Sequence, residues 1–199
     1  MANVKITDLT SGSALIGTEL FESVQTASSV KLTASQIKQY VLSNAYIQCV
    51  DLTDQTAVVD TPTPVKFNTT VVSNNISVTN NGSGNPTRIT FANNGLYNVS
   101  VNLQIDNSAA ADHTLRIWQR INGVDLAATS SIVSVPKAAD GGTDVFELNT
   151  LVQMTAGQYL EIMYAVSNVA LTLRFDAATV SPYASPTVPS AIFIATQVN

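Results

Sequence analysis

The stretch "GLYNVSVNLQID", Gly95 to Asp106, constrains this chain more than any other. Tyr97, Val99, Val101, Leu103 and Ile105 alternate with Asn98, Ser100, Asn102 and Gln104. A period of two puts the first set on one face of a β-strand and the second on the other. The apolar face demands a core. From Leu96 to Gln104 the other face is almost all amide and hydroxyl, with no Lys, Arg, Asp or Glu, whereas a solvated strand face usually carries charge. The purpose of that uncharged stripe is the first question the sequence raises.

Further period-two runs follow. Strands are predicted over 46–52, 65–72, 87–91, 97–105, 115–121, 144–154, 159–166, 170–176 and 191–198. Turn chemistry separates them. "INGV" at 121–124 is an Asn-Gly hairpin turn, and "NNGSGNP", "ANNG", "ADGG" and "TAGQ" are loops. "SPYASPTVP" at 181–189 is a proline-rich crossing segment before the last strand. Many strands at roughly ten-residue spacing, without alternating helices, predict a sandwich of two antiparallel sheets, with a jelly roll as the preferred form.

Residues 1–44 differ from the rest. "ELFESVQTASSVKL" holds two short apolar runs, Leu20–Val24 and Val30–Leu32, and reads as a hairpin. Thr33 followed by Gln36 forms a capping box. Ile37, Tyr40 and Val41 then share one helical face, and Asn44 is a stop signal. A helix of about ten residues is marginal alone in water, so its apolar face calls for a partner. The expected organisation is a small α+β attachment module over 1–44 and a jelly-roll domain over 45–199.

Composition narrows the function classes. Only 12% of residues are charged, about half the usual share. Either the surface is rich in Ser, Thr, Asn and Gln, or much of it is covered by other chains. Net charge is −5 and the nine basic residues are scattered, which argues against a nucleic-acid groove. No run approaches the roughly 20 apolar residues of a membrane helix. "MANVKITDLT" has no charged region followed by an apolar run, so no signal peptide is expected. The expectation is a protein that is made and kept in a cytosol, or that leaves the cell by lysis. The single cysteine, Cys49 in "YIQCVDL", allows no intrachain disulfide and reads as a buried inert thiol.

No catalytic constellation stands out. His113, the one histidine, adjoins Asp112, but no G-x-S-x-G or other feature selects a serine. Asp140 and Asp144 in "DGGTD" lack the alternating oxygen ligands of a calcium loop and read as a turn entering a strand; Asp51 and Asp54 rate no higher. Glu147 and Glu161 lie on strands predicted to be neighbours, which admits a glycosidase-like pair. Surface ion pairs with Arg116, Arg120 or Arg174 are the plainer reading. Trp118, opposite Leu115, Ile117 and Ile121, suits an interface or, alternatively, stacking on a sugar. No enzyme activity, cofactor or metal is expected.

The order of "ITFANNGLYNVSVNLQI", "LRIWQRINGVDL", "LNTLVQMTAGQYLEIMY" and the terminal "VPSAIFIATQV" resembles the tumour-necrosis-factor and complement globular-head jelly rolls, in the form found in bacteriophage structural proteins. "ITDLTSGSALIGTELFESVQTASSVKLTASQIKQY" resembles a module at the start of phage fibre and decoration proteins. The resemblance implies a non-enzymatic, homotrimeric head decoration or head fibre on the outside of a virion, assembled in a host cytoplasm. The alternative is a short tail fibre, or an adhesin binding a host-surface glycan or protein. Ile37, Tyr40 and Val41 would then dock on another virion protein, such as the major capsid protein or a tail or adaptor protein. Asn98, Ser100, Asn102 and Gln104, with Trp118, would face neighbouring subunits, since interface cores are depleted in charge. The plainer alternative for the stripe is an uncharged solvent face.

Overall fold

The computed structural model describes residues 20–25, 28–33 and 44–198. The chain divides into two units, Met1–Ser43 and Asn44–Asn199. In the first, β1 (Leu20–Gln25) and β2 (Ser28–Thr33) pair antiparallel with Leu20 opposite Thr33 and Gln25 opposite Ser28, the expected hairpin. The helix expected after Thr33 lies outside the described residues, and with it Ile37, Tyr40 and Val41.

The second unit is a sandwich of two antiparallel sheets. Its early strands are β3 (Tyr46–Asp51), β4 (Gln55–Thr56), β5 (Thr63–Pro64), β6 (Thr69–Asn74), β7 (Ile76–Asn80) and β8 (Pro86–Phe91). Two long strands follow, β9 (Gly95–Asn107) and β10 (His113–Ile121), then β11 (Val124–Asp125) and β12 (Ser131–Val135). The last four are β13 (Thr143–Met154), β14 (Tyr159–Val166), β15 (Leu171–Leu173) and β16 (Ala191–Val198).

In sheet I, β9 is central. β13 runs along one edge of it, from Thr143 opposite Asp106 to Met154 opposite Gly95. β16 covers Leu96–Leu103 on the other edge, and β15 continues along Ile105–Asn107. Beyond β16 lie β3 and β6, and beyond β15 lies β4. In sheet II, β10 is flanked by β14 on one edge and by β11 and β12 on the other. β14 in turn pairs with β5 and β8, and β8 with β7. Consecutive strands β9 and β10, and again β13 and β14, therefore lie in opposite sheets. That switching makes the sandwich a jelly roll.

The core is where the two inward stripes meet. Tyr97, Val99, Val101, Leu103 and Ile105 are all buried, as are Leu115 and Ile117 and, on β14, Leu160, Ile162, Tyr164 and Val166. Phe67 meets Phe193 edge-on with centroids 5.6 Å apart, and Phe91 meets Tyr97 at 4.6 Å, both favoured aromatic geometries. The Tyr97 hydroxyl donates to the Asn93 carbonyl at 2.9 Å, so the largest inward side chain of β9 leaves no polar atom stranded. Two turns explain their residues. Asn122 and Gly123 both have positive φ, 48° and 82°, as the two-residue turn joining β10 to β11 requires. Gly142, at φ +62°, stands where a Cβ would come within 2.7 Å of the Asn107 carbonyl oxygen, so the "DGG" sequence serves the entry to β13.

The structure departs from the expected strands in several places. The strand expected over 65–72 is broken, because Val65 donates its N–H to Ile162 in sheet II while Thr69 onward pairs with β3 in sheet I. Val65 and Phe67 are both buried at this crossing. The strand expected over 170–176 shortens to Leu171–Leu173, where the chain leaves the sheet. β7 and β12 occupy stretches where no strand is expected.

Val101 is 1% exposed and Asn98 is exposed on the opposite face. Val101→Asp should therefore cost several kcal/mol, a large part of a domain's roughly 5–15 kcal/mol, while the uncharged Asn98→Ser should stay within about 0.5 kcal/mol. Urea melts of the two variants check this; the reverse order would shift the register of β9 by one residue.

Candidate functional site

The outer face of sheet I answers the question of the uncharged stripe with a surface rather than a single strand. Residues paired directly across a sheet share a face, so the register assembles rows. One row runs Asn149, Ser100, Ile194, Gln48, Val72. The next runs Leu151, Asn98, Thr196, Tyr46, Asn74. A third runs Glu147, Asn102, Ile192, Val50. Across these three rows Glu147 is the one formal charge. Apolar side chains open to solvent are set among the amides: Leu151 is 60% exposed, Val72 46%, Tyr46 40% and Ile194 39%.

The amides are ordered laterally. Gln104 Nε2 donates to Asn102 Oδ1 at 3.1 Å, and Asn102 Nδ2 donates to Glu147 Oε1 at 3.2 Å. Asn98 is exposed, while Ser100, Asn102 and Gln104 are half-buried. The four stripe residues thus share one face. The apolar members of that face were not singled out in the sequence, although "AIFIATQV" signals them. Ile192 and Ile194 alternate with buried Ala191, Phe193 and Ala195, so β16 is apolar on both sides.

Trp118 does not join this surface. It lies on the outer face of sheet II, opposite Met163 on β14. Its indole N–H donates to Asp125 Oδ1 at 2.7 Å, and Arg120 Nε donates to the same oxygen at 2.7 Å. These two donors, Arg120 foremost, hold the Asp125 carboxyl below its ordinary range. The tight β10–β11 hairpin makes the arrangement, placing Asp125 directly opposite Arg120.

The carboxylate pair weighed from sequence does not form. Glu147 projects from β13 in sheet I and Glu161 from β14 in sheet II, because the chain changes sheet between them. Glu161 is 6% exposed; it accepts from Thr87 Oγ1 at 2.9 Å and faces Arg88 Nε at 3.7 Å. The Arg88 guanidinium also stacks over the Tyr159 ring at 4.2 Å. Arg174 bridges Asp106 and Asp176, and Arg120 pairs with Asp125, so those arginines serve other carboxylates than the two glutamates.

The remaining polar candidates are tied into the backbone. Asp112 accepts from the Lys137 N–H, Asp54 from the Phe175 N–H and Asp144 from the Val145 N–H. Asp51 is buried and accepts the Thr53 N–H and hydroxyl, while Asp140 pairs with Lys137 at 3.5 Å. Cys49 is buried in sheet I, and burial pushes its thiol up to about 12, which suppresses thiolate chemistry.

No family model matches the chain, and no curated protein matches it. Among solved structures, the chain is similar to the globular domain of zebrafish complement 1qA protein. The two are 13% identical with a TM-score of 0.48, and the match covers 78% of this chain and 98% of that one. The jelly-roll assignment stands on strand order and register.

Trp118 is the single tryptophan, so its fluorescence reports the Asp125 contact. A depressed folded-state carboxyl means that the contact is intact above the unfolded value near 3.9 and is lost as pH falls through the lower folded value. The emission of Trp118 should therefore change with a midpoint below about 3.9, with far-UV circular dichroism unchanged over the same range. Asp125→Asn should abolish the transition. A midpoint at or above the ordinary carboxylate value would contradict the arrangement.

Proposed function

We propose that this protein is a non-enzymatic structural component of a bacteriophage particle, a homotrimeric head decoration or head fibre that self-associates through the outer face of sheet I. The observation that carries the reading is the charge content of that face: one carboxylate among three rows of amides, hydroxyls and exposed apolar groups. Covering such a face removes apolar surface from water at about 25 cal/mol per Å². It also avoids the several kcal/mol that an unpaired buried charge costs. Amides left at the seam can pair across it or hold bridging water.

The virion assignment is supported by the resemblance of the N-terminal sequence to phage attachment modules. In this reading residues 1–44 grip another virion protein, with Ile37, Tyr40 and Val41 as the docking face, and the sandwich projects outward. A short tail fibre or adhesin is the second reading. It is favoured by Trp118, fixed by Asp125 on the other sheet and beside Arg116, which makes no ion pair among the described residues.

Light scattering of the full chain should give three times its 21.0 kDa mass at tens of micromolar. Ile194→Asp and Leu151→Asp, both outward-facing, should each give monomers with wild-type circular dichroism. A monomeric wild type, or variants that remain trimeric, would remove the self-association reading.

The attachment role has its own test. Ile37→Ser with Val41→Ser should leave the oligomer intact. It should weaken binding to particles lacking this protein by tens- to thousands-fold, the equivalent of about 2–5 kcal/mol of lost apolar contact. Co-sedimentation with those particles reads the outcome. Wild-type occupancy by the double variant would place the anchor elsewhere in the chain.

A further inference from the structure

A cleft of about 320 Å³ opens where the crossing between β5 and β6 meets the loop joining β7 to β8, away from the outer rows of sheet I. Its walls are unusual in composition. Amides and hydroxyls from Gln55, Asn81, Asn85 and Thr87 line it together with Lys66 and Tyr164, and no carboxylate does. Ligand sites for apolar molecules are lined mainly by hydrophobic side chains, and this one is not.

The cleft is built rather than incidental. Gln55 is 1% exposed and clamps the main chain of Lys66 from both sides: its Oε1 accepts the Lys66 N–H at 2.8 Å, and its Nε2 donates to the Lys66 carbonyl at 3.1 Å. On the opposite rim Asn81 Oδ1 accepts the N–H groups of Ser83 and Asn85, and the Asn81 N–H donates to the Asn85 carbonyl. Thr87 is fixed by donating its hydroxyl to Glu161.

Two groups on these walls lack the partners their chemistry calls for. Lys66 makes no ion pair among the described residues. Tyr164 is fully buried, yet its hydroxyl has no hydrogen-bond partner. Burial pushes the Tyr164 hydroxyl above its ordinary value, so it remains a protonated donor. A buried hydroxyl without a partner normally costs about 1–3 kcal/mol, and this one belongs to a residue on the wall of a polar cleft.

We propose that this cleft binds a small polyhydroxylated carboxylate, of the class of a uronic acid residue. The carboxylate pairs with the Lys66 ammonium, which has no competing acid on the walls. The sugar hydroxyls exchange hydrogen bonds with the Asn85 amide and accept from the Asn81 Nδ2, while Gln55, whose amide is spent on Lys66 and Ser190, holds the wall, and Tyr164 donates the bond it lacks. A cation finds no counter-charge here. A phosphate would call for the converging backbone N–H groups or arginine forks that phosphate sites use, and the cleft offers side-chain amides instead.

The test uses the full chain with D-glucuronate and D-glucose as matched probes, read by saturation-transfer NMR and isothermal titration. Glucuronate should bind at millimolar concentration, and glucose about tenfold more weakly or not at all. Lys66→Gln should erase the difference between the two probes. Tyr164→Phe should weaken glucuronate binding by roughly three- to tenfold. Without ligand, the same variant should melt at or above the wild-type temperature, since it deletes an unpartnered hydroxyl. A structural role for that hydroxyl would lower the melting temperature instead, and that result overturns the assignment. So does the absence of glucuronate binding up to about 50 mM, an affinity weaker than about 2 kcal/mol. Equal binding of both sugars, or glucuronate binding that Lys66→Gln leaves untouched, overturns it as well.

Discussion

Everything in the sandwich hangs on the pairing of β9. Its thirteen residues carry β13 along one edge, and β16 followed by β15 along the other. Its inner stripe supplies five buried side chains to the core. Each Val, Leu or Ile fully removed from water stabilises by about 1.5–3 kcal/mol, so this one strand accounts for burial comparable with a domain's whole net stability. The end of β9 is held as firmly as its middle. Asn107 is buried, and its amide donates to the carbonyls of Ala111, Val135 and Pro136 while its Oδ1 accepts the Ala109 N–H. That one side chain satisfies four backbone groups where the chain turns from sheet I towards sheet II, a place where unpaired groups would otherwise be buried.

The low charge content has a structural distribution. Apart from Arg88 with the buried Glu161, the ion pairs among the described residues gather at rims and hairpins: Arg174 with Asp106 and Asp176 where the chain leaves β15, Arg120 with Asp125 at the β10–β11 turn, Lys137 with Asp140 before β13. The outer rows of sheet I hold Glu147 alone, and even that carboxylate accepts a hydrogen bond from Asn102. Three adjacent rows of one face thus hold a single charge, with the next charges, Asp106 and Arg174, at the end of β9.

Period-two patterning made the long strands legible. β14 and β16 have the expected bounds, β9 differs by two residues at each end, and the Asn122–Gly123 turn is where its chemistry puts it. What the pattern does not carry is the sheet to which each strand belongs. Glu147 and Glu161 sit on consecutive strands that a tight turn at 155–158 sends to opposite sheets. The same switch between β9 and β10 separates Trp118 from Asn102. Alternation also says nothing about where a strand ends if its apolar residues stay buried beyond it, as Val65 and Phe67 do while their N–H groups bond to two different partners. β7 escaped notice for the opposite reason. Its "ISVTN" is flanked by asparagines that read as loop, although Ile76 and Val78 face inward and pair it with β8.

The edges of sheet I bear on how copies would meet. β13 is twelve residues long, pairs with β9 alone among the described residues, and exposes Val145 and Leu151. A long, open, partly apolar edge strand invites uncontrolled pairing with other chains unless it is charged, bulged or covered. The other edge, β6, is interrupted by the irregularity opposite Gln48 and Cys49, which makes it a poor template. β13 has neither a bulge nor a lysine, and its two charges, Asp144 and Glu147, lie in its first half, so covering by another copy would protect the rest. An assembly that set the β13 edge of one copy against the uncharged rows of the next would protect both features with a single contact. Such a contact joins two different surfaces, so it closes only as a ring and is saturated once the ring is complete. The proposed trimer is the smallest assembly in which a head-to-tail contact of this kind closes on itself without being a symmetric dimer.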